Sequence, residues 1–364
     1  MKIKILCLLF FTSLISCQTN KTESEQEIFP FEQDAKFGFF NSKGEIVIKP
    51  QFELASVFNE GIAVVITSEK GEYRYINEEG KFIFDAKYSM ATMFNEGKAI
   101  VTVKSDDPPT VIDKDGKTLF TLKDAADLRI FNNDLAAFEM VQDSISSWGF
   151  VNVKGEKVIK AQYSEVKDFY DGKCAVKNKD EKWGYIDKTG KVIIDFKFDD
   201  ALDFENGKAV VYEEDKAGVI NGKGEFIIKP QYQSIVIDGD NFLVQQNDKY
   251  GWCDKTENFF VKPQYEWASG FFNSDLALVK NENENGYGYI NKKGEIVIKP
   301  QFFHGTSFYG DFAIVKSGEK YGLIDKTGKF TVKPKFEAVY FDLFLQINTN
   351  CKYKTKSFNR ISLF

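Results

Sequence analysis

The sequence predicts an all-β protein, a tandem array of about nine repeats of about 35 residues, each folding into three antiparallel strands. Three observations predict it. A glycine preceded by an aromatic residue recurs along most of the 364-residue chain. A polar turn pair stands at a fixed distance behind that glycine. Stretches of β-branched and alternating apolar sequence flank the pair in most copies.

With this glycine as anchor, the copies fall at Gly38, Arg74, Thr110, Gly149, Gly184, Gly218, Gly251, Gly288 and Gly322, so the second and third copies have lost it. The unit opens on a short apolar strand at the anchor, as in Trp183-Gly184-Tyr185-Ile186. Three residues past the anchor stands Asn or Asp in all nine copies; six past it stands Gly in eight, Glu257 being the exception. Asn41 and Gly44, Asp187 and Gly190, Asn291 and Gly294, and Asp325 and Gly328 are such pairs, and their expected role is a structural turn. The Asn or Asp oxygen accepts a backbone N–H, and Gly permits positive φ. A second, Val/Ile-rich strand follows. It ends at Pro50, Pro230, Pro263, Pro300 and Pro334 or is an edge strand there, because Pro cannot donate to a ladder. Aromatics such as Phe52 and Phe58 come next, then a third strand of pattern Gly-x-Ala-x-Val, as in Gly61 to Val65. Length varies mainly between this strand and the next anchor, which places variable loops on one face.

Two architectures fit. Copies touching only their neighbours stack into an open, β-solenoid-like array. The alternative is a closed propeller-like ring, but propellers typically have about four to eight blades of about four strands. Nine copies of three strands favour the open array. One feature points the other way: the first copy lacks a clear third strand before Gly38, while Leu343 to Ile347 reads as a spare one. That offset would let the two ends share a unit.

Lys182-Trp183-Gly184-Tyr185-Ile186-Asp187, with the variants Ser147-Trp148-Gly149-Phe150 and Lys320-Tyr321-Gly322, resembles the WG-repeat (KWG-repeat) family. The resemblance covers about residues 34 to 345. It implies all-β tandem repeats, often carried by bacterial lipoproteins, and it implies no catalytic residue.

The N-terminus reads as an address. Lys2 and Lys4 precede an apolar run from Ile5 to Ile15, a secretory signal too short to span a bilayer. Leu14-Ile15-Ser16-Cys17 resembles the bacterial lipobox, in which the Cys is lipidated and the chain is cut before it. The expected organisation is a signal peptide at 1–16, lipidation at Cys17, a flexible polar tether at 17–33, the array at 34–348 and an atypical tail at 349–364. Gln18 follows Cys17, and the resemblance implies that a residue other than Asp there gives no inner-membrane retention. The expected location is the cell envelope, as an outer-membrane lipoprotein facing the periplasm or the surface. Beyond Cys17, the mature chain would keep Cys174, Cys253 and Cys351, an odd number that leaves at least one unpaired.

Composition removes several chemistries. A single His, His304, cannot build a His-rich zinc site. Three Arg among 48 basic residues give few bidentate clamps. A net charge of −6 argues against a nucleic-acid partner. The repeated Asn/Asp positions read as turns, since Lys follows in several, as in Asp187-Lys188, where calcium would need clustered oxygens. Gly116-Lys117-Thr118 lacks the upstream glycine of a phosphate loop, which would stand at Val111. Cys174 and Cys253 occupy apolar positions of the unit and read as core. Trp252 and Trp267 are candidate surface platforms for a sugar or peptide. No cofactor or metal is expected. The expected function is a non-enzymatic scaffold binding an extended protein or polysaccharide partner. The other readings are an enzyme acting on an envelope or extracellular polymer, and a structural spacer. Acidic neighbours such as Asp199 and Asp200 point to opposite faces of a strand and do not mark an acid–base pair.

Overall fold

The computed structural model describes residues 28–67, 71–272, 274–282 and 284–339. Among them the strands form nine sheets, eight of four strands and one of three. Blade five gives the pattern: Glu165–Val166, Lys173–Lys177, Trp183–Asp187 and Val192–Phe198, hydrogen-bonded in that order and antiparallel throughout. The three strands read from the sequence are all present. The fourth is the strand that opens each blade, two residues long except for Ser234–Asp238 in blade seven, and two residues are too few to show any alternation. The sequence repeat also straddles two blades. Its anchor and Val/Ile-rich strands close one blade, and its Gly-x-Ala-x-Val strand belongs to the next.

The open array is corrected by the pairing of the chain ends. Ile28–Gln33, which the sequence reading placed in the tether, is the second strand of blade one and pairs with Lys36–Asn41. Ala338–Val339, from the other end, pairs with it in turn, Phe31 opposite Val339 and Glu32 opposite Ala338. Both ends therefore share one blade, and the nine sheets close into a nine-bladed β-propeller. Phe29, Phe31 and Phe40 of blade one pack against Ile314, Leu323, Val332 and Phe336 of blade nine. The Phe40 and Phe336 rings stack with centroids 4.3 Å apart. An open stack would leave a bare apolar sheet face at each end, and closure buries both against each other. The segments 1–16 and 349–364, Leu343 to Ile347, Cys17 and Cys351 lie outside the described residues.

The anchor glycine has a steric cause. In blade five Trp183 faces Phe198 and Tyr185 faces Ile194, so the fourth strand spends four residues where the third spends two. The extra residues fold over Gly184, where a Cβ would sit 2.7 Å from the Ile194 carbonyl oxygen and 3.0 Å from the Phe196 nitrogen. The same backbone collision would occur at Gly38, Gly149, Gly218, Gly251, Gly288 and Gly322. This fold of the chain carries it toward the next blade, whose first strand begins after a single link residue, as Glu53 between Phe52 and Leu54. Where the glycine is missing, the regular pairing is lost. At Arg74 the extra residues remain, but the fourth strand is reduced to isolated bridges from Tyr73 to Tyr88 and Ile76 to Phe82, with the guanidinium 3.4 Å from the Phe82 ring centroid. At Thr110 the strand Thr118–Thr121 runs alongside and ends opposite that residue.

The fourth strand is the outer edge of each blade. Ile46, Val47, Val158, Val192, Ile296 and Val297 on it are exposed. Pro50, Pro230, Pro263, Pro300 and Pro334 lie inside these edge strands, each preceded by Lys, and this pair blunts edge-to-edge pairing. The first strands of neighbouring blades stand side by side: Arg129 of blade four donates to the Val166 carbonyl of blade five at 2.7 Å. They form the inner edge. The core lies between blades. Trp183, Tyr185, Ile194 and Phe198 of blade five, for instance, pack on Ala201, Phe204, Ala209 and Val211 of blade six.

Candidate functional site

Antiparallel order sorts the connections onto two faces. Turns joining first to second and third to fourth strands share one face, here the turn face. Turns joining second to third strands, and the one-residue links between blades, share the other, the loop face.

The turn face is built of repeated structural contacts. The Asn41 side-chain oxygen accepts from Lys43 N and Glu45 N, both at 3.0 Å, while Gly44 N donates to the Asn41 carbonyl at 2.7 Å. Asp187, Asn291 and Asp325 hold their turns in the same way. The Thr189 hydroxyl, bonded to Asp187, holds that carboxyl below its usual range, and Thr327 does the same for Asp325. Gly44 has φ of +75°, and a Cβ there would collide with Val332 of blade nine; Gly190, Gly294 and Gly328 sit likewise on Ile159, Val261 and Ile298 of their preceding blades. The turn glycine thus sets blade spacing as well as turn geometry. Glu257 replaces it in blade seven at φ +62° and accepts from Gln231 Nε2 at 2.6 Å and Tyr232 Oη at 3.1 Å. Neighbouring first turns are also tied together: Asn59 and Asn95 donate to the Phe94 and Phe131 carbonyls, each at 2.7 Å.

The loop face departs from this uniformity. Its hairpins run from two-residue turns such as Asp143-Ser144 and Asn247-Asp248, both residues at positive φ, to longer loops such as 178–182. Between blades six and seven Lys216, Gln231, Gln233, Gln246, Asn247 and Asp248 line a polar cleft of about 320 Å³. Gln233 and Asp248 brace it with two reciprocal hydrogen bonds of 2.7 Å. Further round, three rings form a row across blades eight and nine: Trp267 lies 5.6 Å from Tyr287, and Tyr287 lies 5.8 Å from His304. Burial, and then the Lys316 charge, keep His304 below its usual pKa, so it is neutral near pH 7. Next to it stands Phe303, 70% exposed. It occupies the link position filled elsewhere by Glu53, Ser89, Ser164, Asp199, Gln233 and Glu266.

The two tryptophans separate. Trp252 is wholly buried among Tyr265 and Phe271, its indole N–H without a hydrogen-bond partner, and is no surface platform. Trp267 is partly buried on the loop face. Cys174 and Cys253 are buried free thiols. Burial, then Asp203 and Asp168, push the Cys174 thiol well up; burial, then Glu257, push Cys253 up to about 12. Neither supplies a thiolate near pH 7. Among the described residues no group of three or more His, Cys, Asp or Glu is arranged to hold a metal. Phe303 was not singled out in the sequence; the visible signal was an aromatic at a position that is polar in most copies.

The family described as WG containing repeat matches residues 37–70, 73–105, 148–183, 183–216, 218–250, 250–284, 287–321 and 321–342. The chain belongs to the WG-repeat family. The match skips the copy anchored at Thr110, which the structure nevertheless folds as blade three of this WG-repeat ring. No curated protein matches the chain. Among solved structures, BamB from Moraxella catarrhalis is similar at 11% identity and a TM-score of 0.38, over 79% of this chain and 92% of that one. Apo AztD from Citrobacter koseri gives 13% and 0.44, over 86% and 96%. Hsv2p from Kluyveromyces lactis gives 12% and 0.37, over 64% and 90%. The ring assignment rests on the strand pairing within the molecule itself.

Proposed function

We propose that this WG-repeat protein is a non-enzymatic binding ring, anchored to the cell envelope by a lipid on Cys17, that receives a protein or polysaccharide partner on its loop face. One observation carries the reading. The chain enters blade one at Ile28, opposite Asn41 and therefore on the turn face, while the variable hairpins, the polar cleft and Phe303 lie on the other. An anchor ahead of Ile28 attaches on the turn face and leaves the loop face unobstructed. Phe303, 70% exposed, and Ile145, 72% exposed, both on the loop face, supply apolar area that a partner there would cover. A partner long enough to track an open array is no longer called for; a disc face suits a compact surface or a short polymer segment.

The test is affinity capture from intact envelopes with the full-length protein, side by side with Phe303→Ser. Saturable capture lost in the variant supports the reading. No saturable partner leaves the spacer, and a carboxylate substitution that abolishes a measurable turnover restores the enzyme. Anchoring is tested separately by Cys17→Ala, which must abolish acyl labelling and membrane fractionation.

A further inference from the structure

Two steps of the loop face break the same repeated contact. In blades one and five the lysine two residues before the anchor glycine binds the acidic link residue fifteen after it, Lys36 with Glu53 and Lys182 with Asp199. Blade six keeps the lysine, Lys216, but its link residue is Gln233, which bonds Asp248 of blade seven in both directions. Lys216 has no ion pair among the described residues. Blade eight loses both members: Gly286, at φ +131°, stands for the lysine and Phe303 for the acid. One departure goes with an open cleft and the other with an exposed ring. A repeat that drops an ion pair in register and presents binding surface in its place is departing from scaffold needs.

The cleft between blades six and seven has the chemistry of a hydroxyl binder. Its volume of about 320 Å³ is at the lower end of the roughly 300–1,000 Å³ of small-molecule sites, but those are mostly apolar and this one is lined by polar side chains throughout. The amides of Gln246 and Asn247 make no side-chain hydrogen bond among the described residues. An amide donates and accepts side by side, as two neighbouring hydroxyls do. Charge along the sector is balanced. Asp248 offsets Lys216 in the cleft, and toward blade eight Lys249 pairs with Glu282 and Lys280 with Glu266. Glu214 and Asp215, at the hairpin tip beside Lys216, turn a polyanion away. Beyond them stands Phe303, 70% exposed and next in the chain to His304, the end of the row of rings from Trp267 through Tyr287. The C–H face of a pyranose is apolar and carries slight positive charge, so it lies well on the negative face of an aromatic ring.

We propose that the loop face of blades six to nine binds a short segment of a neutral polysaccharide. Lys216, Gln246 and Asn247 bond its hydroxyls in the cleft, and one sugar ring lies on Phe303. Neither foothold is deep, and a polymer that spans both gains through effective concentration what each lacks. This inference rests on the loop face being the binding face, and it selects a glycan over a protein as the partner.

Affinity electrophoresis of the purified full-length protein tests it, in gels containing carbohydrate extracted from the cells that carry the protein and split by anion exchange into a neutral and an acidic fraction. The neutral fraction is expected to retard the protein, and periodate oxidation of its vicinal diols to abolish the effect. Phe303→Ser, and Gln246→Ala combined with Asn247→Ala, should each require roughly tenfold more polysaccharide or worse for the same retardation. Their melting temperatures should stay near that of the parent, because all three residues are on the surface. Ile46→Ser, on an outer edge strand, should be retarded like the parent. The proposal is overturned if the neutral fraction does not retard the protein, if the acidic fraction retards it more strongly, or if the folded Phe303 and cleft variants run like the parent. Affinity capture from intact envelopes separates this proposal from the reading beneath it. A protein partner lost with Phe303→Ser overturns the glycan and keeps the loop face; capture that Phe303→Ser leaves unchanged overturns both.

Discussion

Single residues of this ring are fixed by what touches them. Gly184 is a glycine because the chain crosses its Cα, and backbone cannot move aside as a side chain can. Gly184→Ala is expected to cost about 1–3 kcal/mol by overpacking, read as a lower denaturation midpoint with an unchanged slope. The aromatic-Gly motif was fully legible in the sequence, but its cause was not, since the colliding atoms lie ten and twelve residues on in a strand whose path is set by the fold. Asp203 shows the opposite case, a residue with no sequence signal that the ring makes conspicuous. Burial, with Asp168 adding to it, pushes its carboxyl up to about 7. With the folded value raised above the unfolded one, its stability contribution is whole below the ordinary Asp range and is lost as pH rises through about 7. Asp203→Asn is therefore expected to stabilise the protein by roughly 1.5 kcal/mol at pH 5 and by on the order of 4 kcal/mol at most at pH 8, read as a larger rise in melting temperature at pH 8 than at pH 5. Equal melting differences at the two pH values would contradict the assignment.

At the scale of the element, the fourth strand is the part most clearly written in the sequence. Its Val/Ile run, its Lys-Pro pair and its closing aromatic recur with the turn before it, and the turn residues Asn41, Asp187, Asn291 and Asp325 each accept two backbone N–H groups. The first strand was invisible, because two residues such as Glu165–Val166 cannot display a period. The closing strand Ile28–Gln33 was misread as tether for a related reason: its Phe29-Pro30-Phe31 lacks the Gly-x-Ala-x-Val signature of its counterparts. Phe31 lies 4.9 Å from the Phe336 ring and 5.9 Å from Phe40. Phe31→Ala should cost about 3–5 kcal/mol. Hydrogen exchange would then speed up first in blades one and nine, with blades four to six still protected. Uniform loosening of all blades would count against a seam at this position.

For the whole molecule, closure is the property that matters most. A ring of the described residues should have a radius of gyration of about 20 Å in solution scattering. Particle images should show discs, whereas an open stack of sheets about 10 Å apart would appear as a rod roughly 80 Å long. The sequence by itself determined the all-β class, the nine copies, the turns, the edge strands and the aromatic core positions. All of these are local or periodic, and a period is visible to anyone reading along the chain. Only the tertiary structure decided that the array closes and that Trp252 is core while Phe303 is surface. Whether a stack of twisted sheets closes depends on a small rotation at each blade interface, summed over nine interfaces. Here Val332 against Gly44 supplies the last of them. No single repeat carries that sum, so it is read only where residue 31 meets residue 339.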